Sequence, residues 1–395
     1  MWPVAKFISP WPFIRPVGDM LLPTPLWFPG LSQGDLTDLL LSTILILVSM
    51  AFFTIFGQRI QAWMMLRQVA RSLDRLKLMR DEGRKMAIRA LRDLGGAEGD
   101  VAEKVDRFLE HFAIEPENMD PAGVVWKLER ILDVREKKFL DEVRRMAPKA
   151  SEDKIHNLEG LLEAAMALNT LYKTVRHYYL LGKKTSSIYI IAQLQMLIPL
   201  LMKTARAYAD ALVAFRKGQP IGDGIGALVA AKLMHGRPFR RIAKDTIVAE
   251  VDLDGRRAFV VKAEGPGAMV GKPGEAVKKL VEELNGDVKA VVFVDATIKL
   301  EGEKTGDIID GIGVAIGGPG VEKFKVEELL PKLNVPTYAV LIKEDISEAV
   351  SPMKKELLES ADRAIERIRA LLSEVTEEGD KVIIVGVGNS MGIGQ

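Results

Sequence analysis

The stretch "LLLSTILILVSMAFFTIFG", Leu39 to Gly57, runs nineteen residues without a charge. A bilayer core is spanned by about 20 apolar residues in a helix, so this run predicts a transmembrane helix over 39–57. Its flanks set an orientation. Upstream the only basic residues are Lys6 and Arg15, whereas Arg59 to Arg89 holds nine Lys or Arg against Asp74, Asp81 and Glu82. Basic residues stay on the cytoplasmic side. The expectation is a single-pass protein of the cell membrane with its N-terminus outside and the bulk of the chain cytoplasmic. The basic stretch needs no role beyond fixing that topology, although it also suits anionic lipid headgroups.

Residues 1–38 form an extracytoplasmic arm. Seven of the nineteen prolines fall in its first thirty residues, with Trp2, Trp11 and Trp27 among them, a density that forbids a helix or a central strand. No basic segment leads into an apolar core there, so the arm is not a signal peptide. Two readings stand: a chain lying at the lipid–water interface, or a disordered, sticky arm. The chain has no cysteine, which excludes disulfides, thiolate catalysis and cysteine-bound metal. A net charge of +1 argues neither for nucleic acid nor against it, so no nucleic-acid partner is indicated, and 28% charged residues is compatible with a thermophile.

From 58 to 217 apolar residues recur at helical spacing, as in Val69, Leu73, Leu76 and Met79. Punctuation at 94–100, 115–123 and 146–154 divides the region into a bundle of five or six helices. Within it, "TSSIYIIAQLQMLIPLLM" (185–202) is uncharged, but Gln193, Gln195 and Pro199 interrupt it. A buried or oligomer-forming helix is favoured over a second span, and homo-oligomerisation is expected.

From 218 to 395 glycine becomes dense and β-branched runs alternate with helical ones, the mark of an α/β domain. "TIVAEVDLDGRRAFVVKAEG" predicts a hairpin turning at Asp254-Gly255. "EAVKKLVEELNG" predicts a helix, "VKAVVFVDA" a buried strand ending on Asp295, "VPTYAVLI" another strand, and "KVIIVGVG" the last. The whole is read as α plus α/β: one N-terminal transmembrane helix, a cytoplasmic all-α helical bundle, and a C-terminal α/β domain with a mixed, mostly parallel sheet.

Three glycine-rich loops carry the candidate chemistry. In "QPIGDGIGALVAAKLM", Asp223 lies between Gly222 and Gly224 where a helix begins. Its carboxylate either caps that helix or acts as acid, base or metal ligand. In "EGPGAMVGKPGEAVKK", Glu264, Gly265, Gly267 and Lys272 precede a helix N-terminus, where anions bind. This loop lacks the Lys-Ser/Thr ending of a phosphate-binding loop. In the third, Asp295 stands towards the carboxyl end of a strand. A long excursion with Glu301, Lys304, Gly318 and Gly320 follows it. A divalent metal on Asp223 and Asp295 is a cofactor that this pattern allows, and it identifies no other.

"GDGIGALVAAKL", "VFVDA" and "IGGPGVEK" resemble motifs of the spore germination protease and, more distantly, of the hydrogenase maturation endopeptidases. The resemblance implies a shared α/β fold and places an acidic pair on Asp223 and Asp295, as an acid–base pair or as metal ligands. Ala227 stands where proline is usual, and no histidine follows His235 to match the endopeptidases' histidine ligand. In those families a Gly-x-Gly-Asn strand directly precedes the Gly-Asp loop. Here "VIIVGVGN" comes last, which implies a circular permutation with the terminal strand central and Asn389 facing Asp223. The whole chain also resembles an archaeal single-span family of unknown function, sharing "GQPIGDGIG" and "KLEGEKTG".

Two functions follow. One is a membrane-anchored oligomeric scaffold or small-ligand or anion-binding module. The other is a membrane-tethered, peptidase-type hydrolase using Asp223 and Asp295. The lack of histidine, cysteine and serine constellations in the C-terminal domain favours the first.

Overall fold

A computed structural model describes residues 33–111 and 123–395. The arm up to residue 32 and most of the expected break at 115–123 lie outside the described residues. Helix α1 (Gln33–Gly95) carries both the apolar run and the basic stretch in one continuous 63-residue helix. The chain divides into two compact units, the first ending at Ile60 and the second running from Gln61. In the first unit the side chains of Leu39 to Val48 are exposed around the helix. Thr43 Oγ1 donates to Leu39 O (2.7 Å) and Ser49 Oγ to Ile46 O (2.8 Å), so these hydroxyls bond their own backbone.

The second unit begins with the bundle: the end of α1, then α2 (Val101–Leu109), α3 (Val124–Met146), α4 (Glu152–Thr185) and α5 (Ile188–Lys217). Leu76, Leu91, Phe108, Phe139, Leu161 and Leu212 are buried in a common core. Burying each such side chain contributes about 1.5–3 kcal/mol. Helix α5 is split by face. Ile191, Leu194, Ile198 and Met202, at helical spacing, are buried, while Tyr189, Met196, Leu197 and Leu200 are exposed. Among the described residues α5 is the one helix long and apolar enough to cross a membrane, and Thr37–Phe52 is a shorter apolar stretch.

A three-residue 3-10 turn, Gly222–Gly224, then opens α6 (Ile225–Met234). The strands are β1 (Phe239–Ala243), β2 (Thr246–Leu253), β3 (Arg256–Ala263), β4 (Ala290–Ile298), β5 (Ile308–Ile312), β6 (Thr337–Glu344) and β7 (Lys381–Gly386). Between them come α7 (Pro273–Glu283), α8 (Val321–Leu329), α9 (Ile346–Ala349) and α10 (Lys355–Val375). The sheet order is β1-β2-β3-β7-β4-β6-β5. Strands β3, β7, β4 and β6 are mutually parallel, and β1, β2 and β5 extend the edges antiparallel.

Both faces of the sheet are covered. Val382 and Ile384 share a core with Ile225, Val229, Ala361 and Ile368 of α6 and α10. Ile383 and Val385 face Val277, Leu280 and Val326 of α7 and α8. Burial on both sides is why β7 reads as an unbroken apolar run. It is the central strand.

Several local expectations need correcting. Strand β4 does not end on Asp295 but continues to Ile298. The excursion after it contains an edge strand, β5, whose Asp310 and Gly311 broke the apolar signal. Strand β1, with its two arginines, was equally silent in the sequence.

Candidate functional site

The four parallel strands point their carboxyl ends to one edge of the sheet, and the glycine loops converge there. The Gly222–Gly224 turn lies against that edge. Gly222 is required by close approach: a side chain there would collide with the Glu344 carboxylate and with the carbonyl of Glu348. The loop after β7 closes the other side. The backbone N–H of Asn389 donates to Asp223 Oδ2 at 2.9 Å. Gly388, at φ +118°, brings the chain so near that a Cβ would strike the Asp223 carbonyl. Asp223 therefore does not cap α6, whose N-terminal flank, Gly224, has no side-chain bond. Its carboxylate holds the C-terminal loop instead.

Asp295 and Glu344 complete a cluster of three acids. Glu344, the last residue of β6, is 2% exposed, and its Oε2 has no hydrogen-bond partner. Asp295 is 8% exposed and accepts from the N–H of Ala296 (2.8 Å) and of Gly317. Burial and then the charge of Asp223 push the Asp295 carboxyl up to about 7. Burial, then Asp223, Glu348 and Asp295, push Glu344 up to about 8. Burial also raises Asp223, and the Asn389 hydrogen bond opposes that shift. These acids are coupled: ionising one disfavours ionising the others. On β3, beyond β7 from Asp295, Lys262 is fully buried, donating to the carbonyls of Ala263 (2.8 Å) and Glu264 (3.0 Å), and burial lowers it to about 8.

Glu344 and Lys262 were missed in the sequence. Lys262 interrupts an otherwise apolar strand in "VVKA", and that interruption was the available signal; Glu344, at the end of "AVLIKE", carried none. Other candidates are dispersed. Glu301 and Lys304 are exposed on the loop after β4, and Gly318 and Gly320 have open space around their α-carbons. Glu264 pairs with Arg241. Gly265 packs against the backbone of Ser390 and Ile393, and Gly267 against Asp153 and His156 of α4. Lys272 pairs with Asp133 of α3 at 2.9 Å, so it presents no free cation to an anion. Among the described residues no set of three or more ligating side chains is arranged to hold a metal ion.

A cavity of about 840 Å³ lies on the far side of the C-terminal loop, and Asn389 lines it. The α/β domain contributes Lys244, Asp245 and the loop Ala268–Lys272. The bundle contributes Arg135 and Phe139 from α3, Glu159 and Glu163 from α4, and Tyr208 and Phe215 from α5. The loop is anchored there, because the Ala268 N–H donates to Asn157 Oδ1 at 3.0 Å. Burial, then the charges of Glu163 and Glu136, push the Glu159 carboxyl up to about 8. Burial holds His156 below its ordinary value. Only the loop was legible in the sequence. The acids of α4 read as ordinary polar positions of a helix.

The chain belongs to a family described as protein of unknown function (DUF1512), whose N-terminal domain matches residues 43–218 and whose C-terminal domain matches 221–394. No curated protein matches the sequence.

Proposed function

We propose that the protein is a membrane-anchored small-ligand-binding module that faces the cytoplasm and self-associates. The observation that carries this reading is the cavity of about 840 Å³ built jointly by the bundle, the Ala268–Lys272 loop and Asn389. Ligand pockets are commonly about 300–1,000 Å³, with largely apolar walls and a few placed polar groups. An anion is the weaker ligand class, since the lining cations are already paired. Membrane anchoring rests on the uncharged Leu39–Gly57 run, the basic flank beyond it and the self-satisfied hydroxyls of Thr43 and Ser49. Self-association rests on the exposed apolar face of α5. A thermal-shift screen of small metabolites on the full-length protein tests the central point. At least one should stabilise the wild type and fail with Ala167→Phe, which fills the cavity; a ligand equally effective on both would locate binding elsewhere.

One observation favours a second reading, a membrane-tethered hydrolase of peptidase type. At the carboxyl edge of the sheet burial raises all three acids, the charge of Asp223 adds to the rise of Asp295 and of Glu344, and Asp295 adds to that of Glu344; perturbed, coupled acids suit acid–base chemistry. The central position of β7, with Asn389 against Asp223, supports the permuted relation to the germination protease. Peptide hydrolysis that disappears in both Asp223→Asn and Asp295→Asn would support it. Hydrolysis unchanged in both would remove it.

A further inference from the structure

The cavity has a charge pattern more specific than its size. Its three lining cations are each matched to a carboxylate: Arg135 to Glu163 (2.7 Å), Lys244 to Glu136 (2.7 Å) and Lys272 to Asp133 (2.9 Å). Glu159 has no lysine or arginine partner; its nearest counterpart is His156, with Nδ1 3.8 Å from Oε2. Burial keeps that imidazole below its ordinary value, so it is neutral near pH 7 and supplies no countercharge. Asp245, at the β1–β2 turn, likewise lines the cavity without an ion-pair partner. Around these acids the wall is apolar, with Phe139, Met166, Leu171, Phe215 and Val350. The cavity therefore has two lining acids, Glu159 and Asp245, without a cationic partner, and is rich in apolar surface.

We infer that the cavity takes an amphipathic cation, a primary amine or comparable organic cation whose charged head pairs with Glu159 while its apolar body lies against the Phe139–Phe215 wall. This rests on the proposed ligand-binding reading and assigns its ligand class. A carboxylate left unpaired in a largely dry site stays protonated. An ammonium at hydrogen-bond distance reverses that preference, and the proton leaves to solvent as the ion pair forms. The groups facing Glu159 are Glu163 and His156 on its own helix, Arg135 and Glu136 on α3, and Lys244 from the β1–β2 turn. The Arg135–Glu163 and Lys244–Glu136 pairs cancel internally, so Glu159 and Asp245 are the lining acids left to meet a cation.

The test uses the full-length protein in detergent with three probes of one size: hexylamine, hexanol and hexanoate. Calorimetry and thermal shift should detect hexylamine and not hexanoate. Binding should release a proton at pH 7, read as a heat that depends on the ionisation enthalpy of the buffer. Affinity should weaken roughly tenfold from pH 7 to pH 6, because the site must lose a proton near pH 8 to bind. Glu159→Gln should abolish hexylamine binding and keep the fold, since the native group is neutral at that pH. Should that variant not fold, Ala167→Phe replaces it, with the same loss expected. Binding of hexanoate or hexanol in preference to the amine, or amine binding unchanged in Glu159→Gln, overturns the cationic assignment and leaves the cavity reading standing. Absence of binding by all three probes overturns both.

Discussion

The backbone N–H of Asn389 donates to Oδ2 of Asp223, 2.9 Å apart in space and 166 residues apart in sequence. This bond ties the loop after the central strand to the turn that opens the domain's first helix. It fixes one wall of the carboxylate cluster and, through Asn389, one wall of the neighbouring cavity.

The approach of these two segments depends on Gly388. A Cβ there would strike the Asp223 carbonyl, and φ of +118° is closed to ordinary side chains. Gly388→Ala should therefore destabilise the domain by on the order of 3 kcal/mol or more, measured by denaturant unfolding. Gly394→Ala, where the added methyl meets nothing within 4 Å, is the control and should be near neutral.

The three acids should titrate as a group. Replacing Asp223 with Asn keeps an acceptor for the Asn389 N–H but removes a charge that, after burial, helps to hold Asp295 near 7 and Glu344 near 8. Carboxyl titration by carbon-13 NMR should show both values falling in Asp223→Asn. Unchanged values would mean that burial alone sets them and the acids do not share a site.

Stability should fall as pH rises through the neutral range. Folded Glu159 and Glu344 keep their protons to about 8, whereas the unfolded chain releases them near the ordinary 4.5. The folded state then binds more protons across that window, so each group takes away ~1.4 kcal/mol per pH unit and no more above about pH 8. Glu344→Gln should flatten the profile of unfolding free energy against pH and gain most over wild type at pH 8.

Removing residues 1–60 should move the protein from the membrane pellet to the supernatant, because the uncharged run ends at Gly57 and the unit from Gln61 is compact by itself. A truncated chain that still pellets would point to the exposed face of α5, with Met196 78% exposed, as a second membrane contact.

What the sequence revealed of this architecture depended on local patterns. The apolar run of β7 and the Asp254-Gly255 turn were legible because central strands and tight turns impose strict residue choices. Asp223 stood out between two glycines and Asp295 as the acid ending an apolar run. Glu344 did not, since a glutamate at a strand end is usually solvated and only the fold buries it under Gly222. Glu159 was hidden for a similar reason. An acid on an amphipathic helix normally faces water, and the α/β loops that cover it, starting with Lys244, arrive 85 residues later or more. Edge strands β1 and β5 carry arginines, an aspartate and a glycine, the composition that blunts edges and also erases the alternation.

The central claim is that the cavity beside Asn389 holds a small molecule. Native mass spectrometry of the full-length protein, purified from the cells that make it, measures this directly. The account predicts a mass above that of the bare chain by one small ligand, and loss of that excess in Ala167→Phe. Wild-type protein at the bare chain mass, or the same excess in Ala167→Phe, would contradict it.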